Sequence, residues 1–319
     1  MDGETLPTLK KHETLWFEDG NIVLATDVHL YCVHRGVLAK NSTVFKDMLD
    51  LANVGSTSKI EMSGNVTDDS WEGNPLVRMI GDSDEDVYHV LMALYDIEFY
   101  SARRPTTLPI ILSLLRMSTK YNLSGIRNAV KNHLERVYPN DIEIMNDRDF
   151  GDLFEDYTNI TLDYEFQLLV AAQRSNLKTV IPMLYFECST APLDTILKAV
   201  EGLRLEKQQI KKFLRGHEHM EKLAYEYGIH RFAPRRYCSY PCSSARTELL
   251  VRYMTDRPPY PIQSLLRNED AIENDELRAA ICSTCCKAIS ETMKAFRLEI
   301  YNSIPGLFGL GTWEDTKRD

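Results

Sequence analysis

Val33-His34-Arg35-Gly36-Val37-Leu38-Ala39-Lys40-Asn41-Ser42-Thr43-Val44-Phe45-Lys46-Asp47-Met48 is the stretch from which the fold is read. An extended run, Val28 to Val33, passes straight into it. Val37 and Leu38, then Val44, Phe45, Met48 and Leu49, recur at helical spacing, so a strand end is followed by two short helices. Ser42 has a short hydroxyl side chain that can accept a free N–H of the first turn, which makes it the expected N-cap of the second helix.

The flanks extend this pattern. Ile22-Val23-Leu24-Ala25, the turn Thr26-Asp27 and Val28–Val33 form an expected β-hairpin of β-favouring residues. Pro75 to Ile80 is expected as a strand. Ser83-Asp84-Glu85-Asp86 has the form of a capping box with acid in the first turn, so a helix begins there. Val87, Val90, Leu91, Leu94 and Tyr95 supply its apolar stripe. Leu108 to Tyr121 is a strongly apolar helix. A further helix carries Ile126, Val130, His133, Leu134 and Val137 on one face and stops at Tyr138-Pro139. Residues 1–14 are polar and expected to be loose. The polar stretch Asn53 to Asn74 is too poor in apolar residues for core, with Lys59-Ile60-Glu61-Met62 as a short strand. Residues 15–138 therefore form one domain of order β-β-α-α-β-α-α-α.

Beyond Pro139 the pattern turns helical. Residues 141–156 hold seven acids against one arginine, which fits a solvated connection better than a core element. Helices are expected over 162–175, 177–188, 192–203, 206–227, 245–253 and 276–302, with a break at Pro258-Pro259-Tyr260-Pro261. The tail Ile304 to Glu314 is apolar enough to dock. The expected class is α+β at the N-terminus, then an all-α domain over 139–319.

Composition bounds the function. With 319 residues, 44% of them hydrophobic, the chain can bury a sizeable core. Its net charge of −10 offers no electrostatic footprint for nucleic acid, and the clusters Arg235-Arg236 and Lys211-Lys212 are too short to make one. No run approaches the ~18 apolar residues of a membrane span. The acidic start Met1-Asp2-Gly3-Glu4 lacks the apolar core of a secretory signal. Seven cysteines, an odd number, fit reduced thiols in cytoplasm or nucleus. No nucleic-acid, membrane or small-molecule partner is expected.

Motifs for chemistry are sparse. The sequence holds no Gly-x-Ser-x-Gly, His-Glu-x-x-His, phosphate-binding loop or dinucleotide fingerprint, so no enzyme and no cofactor are expected. His217 and His219 are two apart on one helix and face different sides, which does not suit shared metal ligation. The Gly-rich run 306–311 precedes no helix that could present N–H groups to a phosphate. Cys238-x3-Cys242 and Cys282-x2-Cys285 are separated by 39 residues, and two such pairs can complete a tetrahedral Zn²⁺ site. Against zinc, x3 is a loose spacing, and Cys282 and Cys285 fall on a predicted helix where cysteines at i and i+3 serve as small buried residues. Buried thiols are the favoured expectation.

The opening stretch, read as V-H-R-x-V-L-A-x-x-S-x-V-F-x-x-M, resembles the strand-to-helix signature of BTB/POZ domains. Ala93-Leu94-Tyr95 and Leu114-Leu115-Arg116-Met117-Ser118-Thr119-Lys120-Tyr121 at later intervals extend the resemblance over 15–138. Cys282, Cys285, Arg297, Ile304-Pro305, Phe308, Leu310 and Trp313, with Trp71-Glu72-Gly73-Asn74-Pro75-Leu76-Val77, are similar to a fungal group that couples a BTB domain to a helical region. The resemblance implies a non-enzymatic protein-binding protein that self-associates, as a homodimer, or recruits a protein partner. A β-hairpin edge and the first helix would form that face, making Leu15, Trp16, Phe17, Arg35, Val37 and Leu38 the interface candidates, with Leu15 to Phe17 favoured and Val37 and Leu38 equally readable as core residues. In some family members the position of Arg35 lines a charged groove opposite an aspartate. Asn21 stands there instead, so Arg35 is expected to be solvated or locally paired, and His34 to be structural. The resemblance also raises two rival roles: adaptor of a cullin-type ubiquitin ligase, and transcriptional regulator. Asn53 departs from the acid that cullin recruitment uses, and no DNA-binding module is recognisable.

Overall fold

A computed structural model describes residues 9–54, 66–146, 148–156, 160–235, 238–255, 266, 277 and 279–317. Lys59–Met62 and Pro258–Pro261 lie outside the described residues. The chain divides into two compact units, 1–133 with 151–158, and 134–150 with 159–319.

The first unit is built on a five-stranded sheet of order β1-β3-β2-β5-β4. Its strands are β1 (Lys10–Trp16), β2 (Ile22–Ala25), β3 (His29–Val33), β4 (Val66–Trp71) and β5 (Asn74–Arg78). The expected hairpin forms: β2 and β3 pair antiparallel, from Ile22 opposite Val33 to Ala25 opposite Leu30. Thr26 closes the turn, its hydroxyl accepting the N–H groups of Val28 and His29. Strand β2 is a run of four apolar residues because both its faces are buried. Strand β5 lies parallel to it, Val23 opposite Leu76.

Two strands depart from the sequence expectation. Residues 10–16 are the edge strand β1, parallel to β3, not loose chain. Residues 66–71 form β4, antiparallel to β5 across a two-residue turn. Glu72 (φ 50°) and Gly73 (φ 86°) both take left-handed backbone there, the turn geometry that follows the strands' own twist. Flat, the two outer strands would stand roughly 19 Å apart. Yet Lys11 on β1 reaches Glu72 with Nζ 2.8 Å from Oε2, so the sheet curls until its edges meet over one face. Under that closure lie Val23, Ala25, Leu30, Cys32 and Leu76, roofed by Leu9, Trp16 and Trp71.

The other sheet face carries the helices α1 (Arg35–Asn41), α2 (Thr43–Val54), α3 (Asp84–Tyr95), α4 (Leu108–Lys120) and α5 (Ser124–Val137). Ser42 caps α2 as expected, accepting the N–H of Phe45 at 2.9 Å, and it also donates to the Tyr121 carbonyl. Ser83 caps α3 by accepting the N–H of Asp86. Val87, Val90 and Leu91 join Leu15, Leu24, Tyr31, Leu38 and Phe45 in one core, with Phe45 stacked flat on Tyr121.

The second unit is helical: α6 (Tyr164–Arg174), α7 (Ile181–Thr190), α8 (Leu193–Gly202), α9 (Lys207–Phe232), α10 (Cys242–Thr255), α11 (Ser283–Leu307) and α12 (Trp313–Thr316). The 26-residue α9 is its axis, and α7, α8, α10 and α11 pack against it. Gly216 and Gly228 permit that approach. A Cβ at Gly216 would stand 2.3 Å from Ser189 Oγ, and one at Gly228 2.5 Å from the Tyr253 ring. The tail docks as expected, Phe308 stacking on Tyr185 and Trp313 on Tyr301. The acidic stretch 141–156 is more than a solvated connection. Met145, Arg148, Leu153 and Phe154 are buried in it, because acids on the outside alternate with anchors within.

Candidate functional site

Among the described residues, two places gather side chains that the core does not require. The first is the outer end of β1 beside α1. Phe17 stacks on Tyr95 at 4.9 Å and tilts against His34 at 5.1 Å, and it stays half-buried. The His34 N–H donates to the Tyr95 hydroxyl at 2.8 Å, and the His34 ring meets Asp19 at 3.2 Å, so His34 holds structure. Val37, one turn along α1, is half-buried as well. Arg35 is paired locally: its backbone N–H donates to Asn21 Oδ1, and its guanidinium donates to the Leu49 carbonyl at 2.5 Å. Asn21 thus meets the backbone of Arg35 and not its charge.

The other interface candidates fall elsewhere. Leu15 and Leu38 are 1% and 0% exposed and belong to the core, because β1 adds to the sheet and turns Leu15 inward. Trp16 points to the opposite sheet face, where Lys11 Nζ lies over its ring at 4.3 Å. Phe17, Val37 and Arg35 stay half-buried, as does Trp16 on the opposite sheet face.

At the opposite end of α3 and of the hairpin sits a polar cluster with no counterpart in the sequence reading. Asp84, the first residue of α3, accepts from Thr26 Oγ1 at 2.5 Å and from Tyr31 OH at 2.9 Å, with His29 Nδ1 at 2.8 Å. Burial pushes its carboxyl up, but these hydrogen bonds and the His29 imidazole outweigh burial and hold it below the usual value. His12 stacks on Tyr31 and Tyr88, and burial followed by His29 lowers its pKa. The cluster ties the hairpin to α3 and lies under β1, which fits a structural role.

The second place is in the helical unit. The Sγ atoms of Cys238, Cys242, Cys282 and Cys285 all lie within 4.8 Å of one another. Cys242 opens α10, and Cys282 is the extended N-cap residue of α11, with Cys285 in that helix's first turn. Cys242 and Cys285 are buried as the sequence reading expected, whereas Cys238 is half-buried and Cys282 is exposed because α11 starts after it. The Cys285 N–H, then the Cys242 thiol, lower the Cys282 thiol to about 7. Hydrogen bonding to Cys242 and Cys285 pushes Cys238 upward, and burial raises Cys242. Arg246 builds the approach to the cluster, donating from α10 to the carbonyls of Arg231, Phe232 and Ala233 at the end of α9. His217 instead meets the Ser189 carbonyl at 3.0 Å, away from the cysteine set.

No family model, curated protein or solved structure matches the chain. Among the described residues no helix is long and apolar enough to cross a membrane.

Proposed function

We propose that the chain is a non-enzymatic protein-binding protein whose N-terminal α+β unit, BTB/POZ-like in its strand-to-helix signature, associates with a second copy of itself. The observation that carries this is the position of Phe17 and Val37. They are half-buried apolar side chains just past an edge strand and on the adjoining helix, with Arg35 two residues before Val37 on that helix. A surface of this make-up, an aromatic and an aliphatic anchor beside an arginine, is the composition of a pairing face. Strand β1 itself is irregular between Lys11 and Trp16, which blunts it for simple strand addition and favours contact through side chains. All seven cysteines are free thiols, which supports a place inside the cell, in cytoplasm or nucleus.

Sedimentation equilibrium of the full chain tests it. The expected result is a dimer with a dissociation constant near or below about 10 µM, or roughly −7 kcal/mol. Phe17→Glu with Val37→Asp should leave a folded monomer, while Trp16→Ala should cost stability and leave pairing in place. A wild-type chain that stays monomeric to about 100 µM ends the self-association reading.

A further inference from the structure

We propose that Cys238, Cys242, Cys282 and Cys285 together bind one Zn²⁺ as a closed structural site. A tetrahedron with metal–sulfur bonds of about 2.3 Å has sulfur–sulfur edges of about 3.8 Å. Cys238 Sγ is 3.9 Å from Cys282 Sγ and 3.3 Å from Cys285 Sγ, close to those edges. Both separations are far beyond the roughly 2.05 Å of a disulfide. The four sulfurs arrive from two parts of the chain 44 residues apart, so their convergence is not a by-product of one helix.

The backbone around them suits an anionic centre. Cys242 stands at the first turn of α10 and Cys282 and Cys285 at the start of α11, so two helix N-termini meet at the sulfurs. Unpaired N–H groups and the positive end of the helix dipole favour thiolate there. Four thiolates around one Zn²⁺ carry a net charge of −2, which those ends offset. On binding, four zinc–sulfur bonds form and the thiol protons are released to solvent. Four protein ligands leave no open position for a water or substrate, so the metal would hold structure and not turn anything over. Its effect is to fasten the start of α10 to the start of α11, two helices that both pack on α9.

The test uses the full chain, purified under reducing conditions without chelator. Elemental analysis should find about one zinc per chain. Replacement by Co²⁺ should give the visible d–d bands and near-ultraviolet sulfur-to-metal charge transfer of a tetrahedral thiolate site. Cys282→Ser, at an exposed position, should lower zinc affinity by more than the roughly 10–100-fold that losing an outer-shell partner costs. Cys286→Ser, next to the set but outside it, should bind zinc as the wild type does. Less than about half an equivalent of zinc with no tetrahedral cobalt spectrum overturns the site. So does a disulfide within the set, bound iron in place of zinc, or equal loss in the Cys286 variant.

Discussion

Arg148 and Glu187 meet at 2.6 Å with both side chains wholly excluded from water. Arg148 leaves the segment after α5 and enters the helical unit, where its guanidinium also lies over Phe150 at 4.8 Å and donates to the Val137 carbonyl. Glu187 comes from α7, a helix buried on every side from Ile181 to Ser189. A pair so placed adds little net stability when intact, because desolvation of both ions offsets their attraction.

Breaking the pair is a different matter. Arg148→Ala or Glu187→Ala leaves one charge buried without its partner and should destabilise the second unit by about 3–5 kcal/mol. Arg148→Met with Glu187→Leu should recover most of that loss. Urea unfolding of the full chain, followed by a probe in the helical unit, checks both outcomes. Equal losses in single and double variants would show that the charges themselves are not the issue.

Asp84 should give the first unit an acid-sensitive step. Its folded carboxyl lies below the unfolded value of about 3.9. The stability it contributes is therefore complete above that unfolded value and is lost as pH falls through the lower folded value. Asp84→Asn removes charge-assisted hydrogen bonds from Thr26, His29 and Tyr31 and should cost about 2 kcal/mol at pH 7. The gap between variant and wild type should narrow as pH falls below the unfolded value. Urea midpoints across that range are the measurement, and a gap independent of pH would remove Asp84 from the acid response.

Two glycines inside helices should respond to alanine with opposite signs. Gly36 in α1 has open space where a Cβ would sit, so Gly36→Ala should stabilise by about 0.5–1 kcal/mol. Gly216 in α9 faces Ser189 and Phe308, with the would-be Cβ at 2.3 and 2.8 Å. There the same change should destabilise by about 1–3 kcal/mol, since α7 and the tail must move aside. Thermal melts of the two variants decide it.

What local chemistry controls was legible before any coordinates. The hairpin from Ile22 to Val33 is a short apolar pair of strands around a tight turn, and it forms, though the turn falls at Asp27-Val28, one residue later than expected, with Ala25 opposite Leu30. Ser42 and Ser83 cap the helices they precede, because a capping hydroxyl needs only residues two or three positions away. The outer strands were not legible. Lys10-Lys11-His12-Glu13-Thr14 and Val66-Thr67-Asp68-Asp69-Ser70 show no apolar alternation, and the sheet recruits them through backbone hydrogen bonds, β1 to β3 beyond the intervening β2 and β4 to β5 across the Glu72-Gly73 turn. The interface candidates split for the same reason: once β1 pairs with β3, Leu15 must face inward and Trp16 the opposite sheet face.

The sequence by itself determined an N-terminal α+β unit, a helical remainder, and two cysteine pairs whose spacing allowed either buried thiols or a metal. Tertiary structure alone decided that the pairs meet, since the start of α11 has to be brought back across 44 residues to Cys238. It alone paired Arg148 with Glu187 and closed Lys11 onto Glu72 across the sheet. Each of these joins residues that periodicity cannot relate, because side-chain patterns record which face is apolar and not which distant face it will meet.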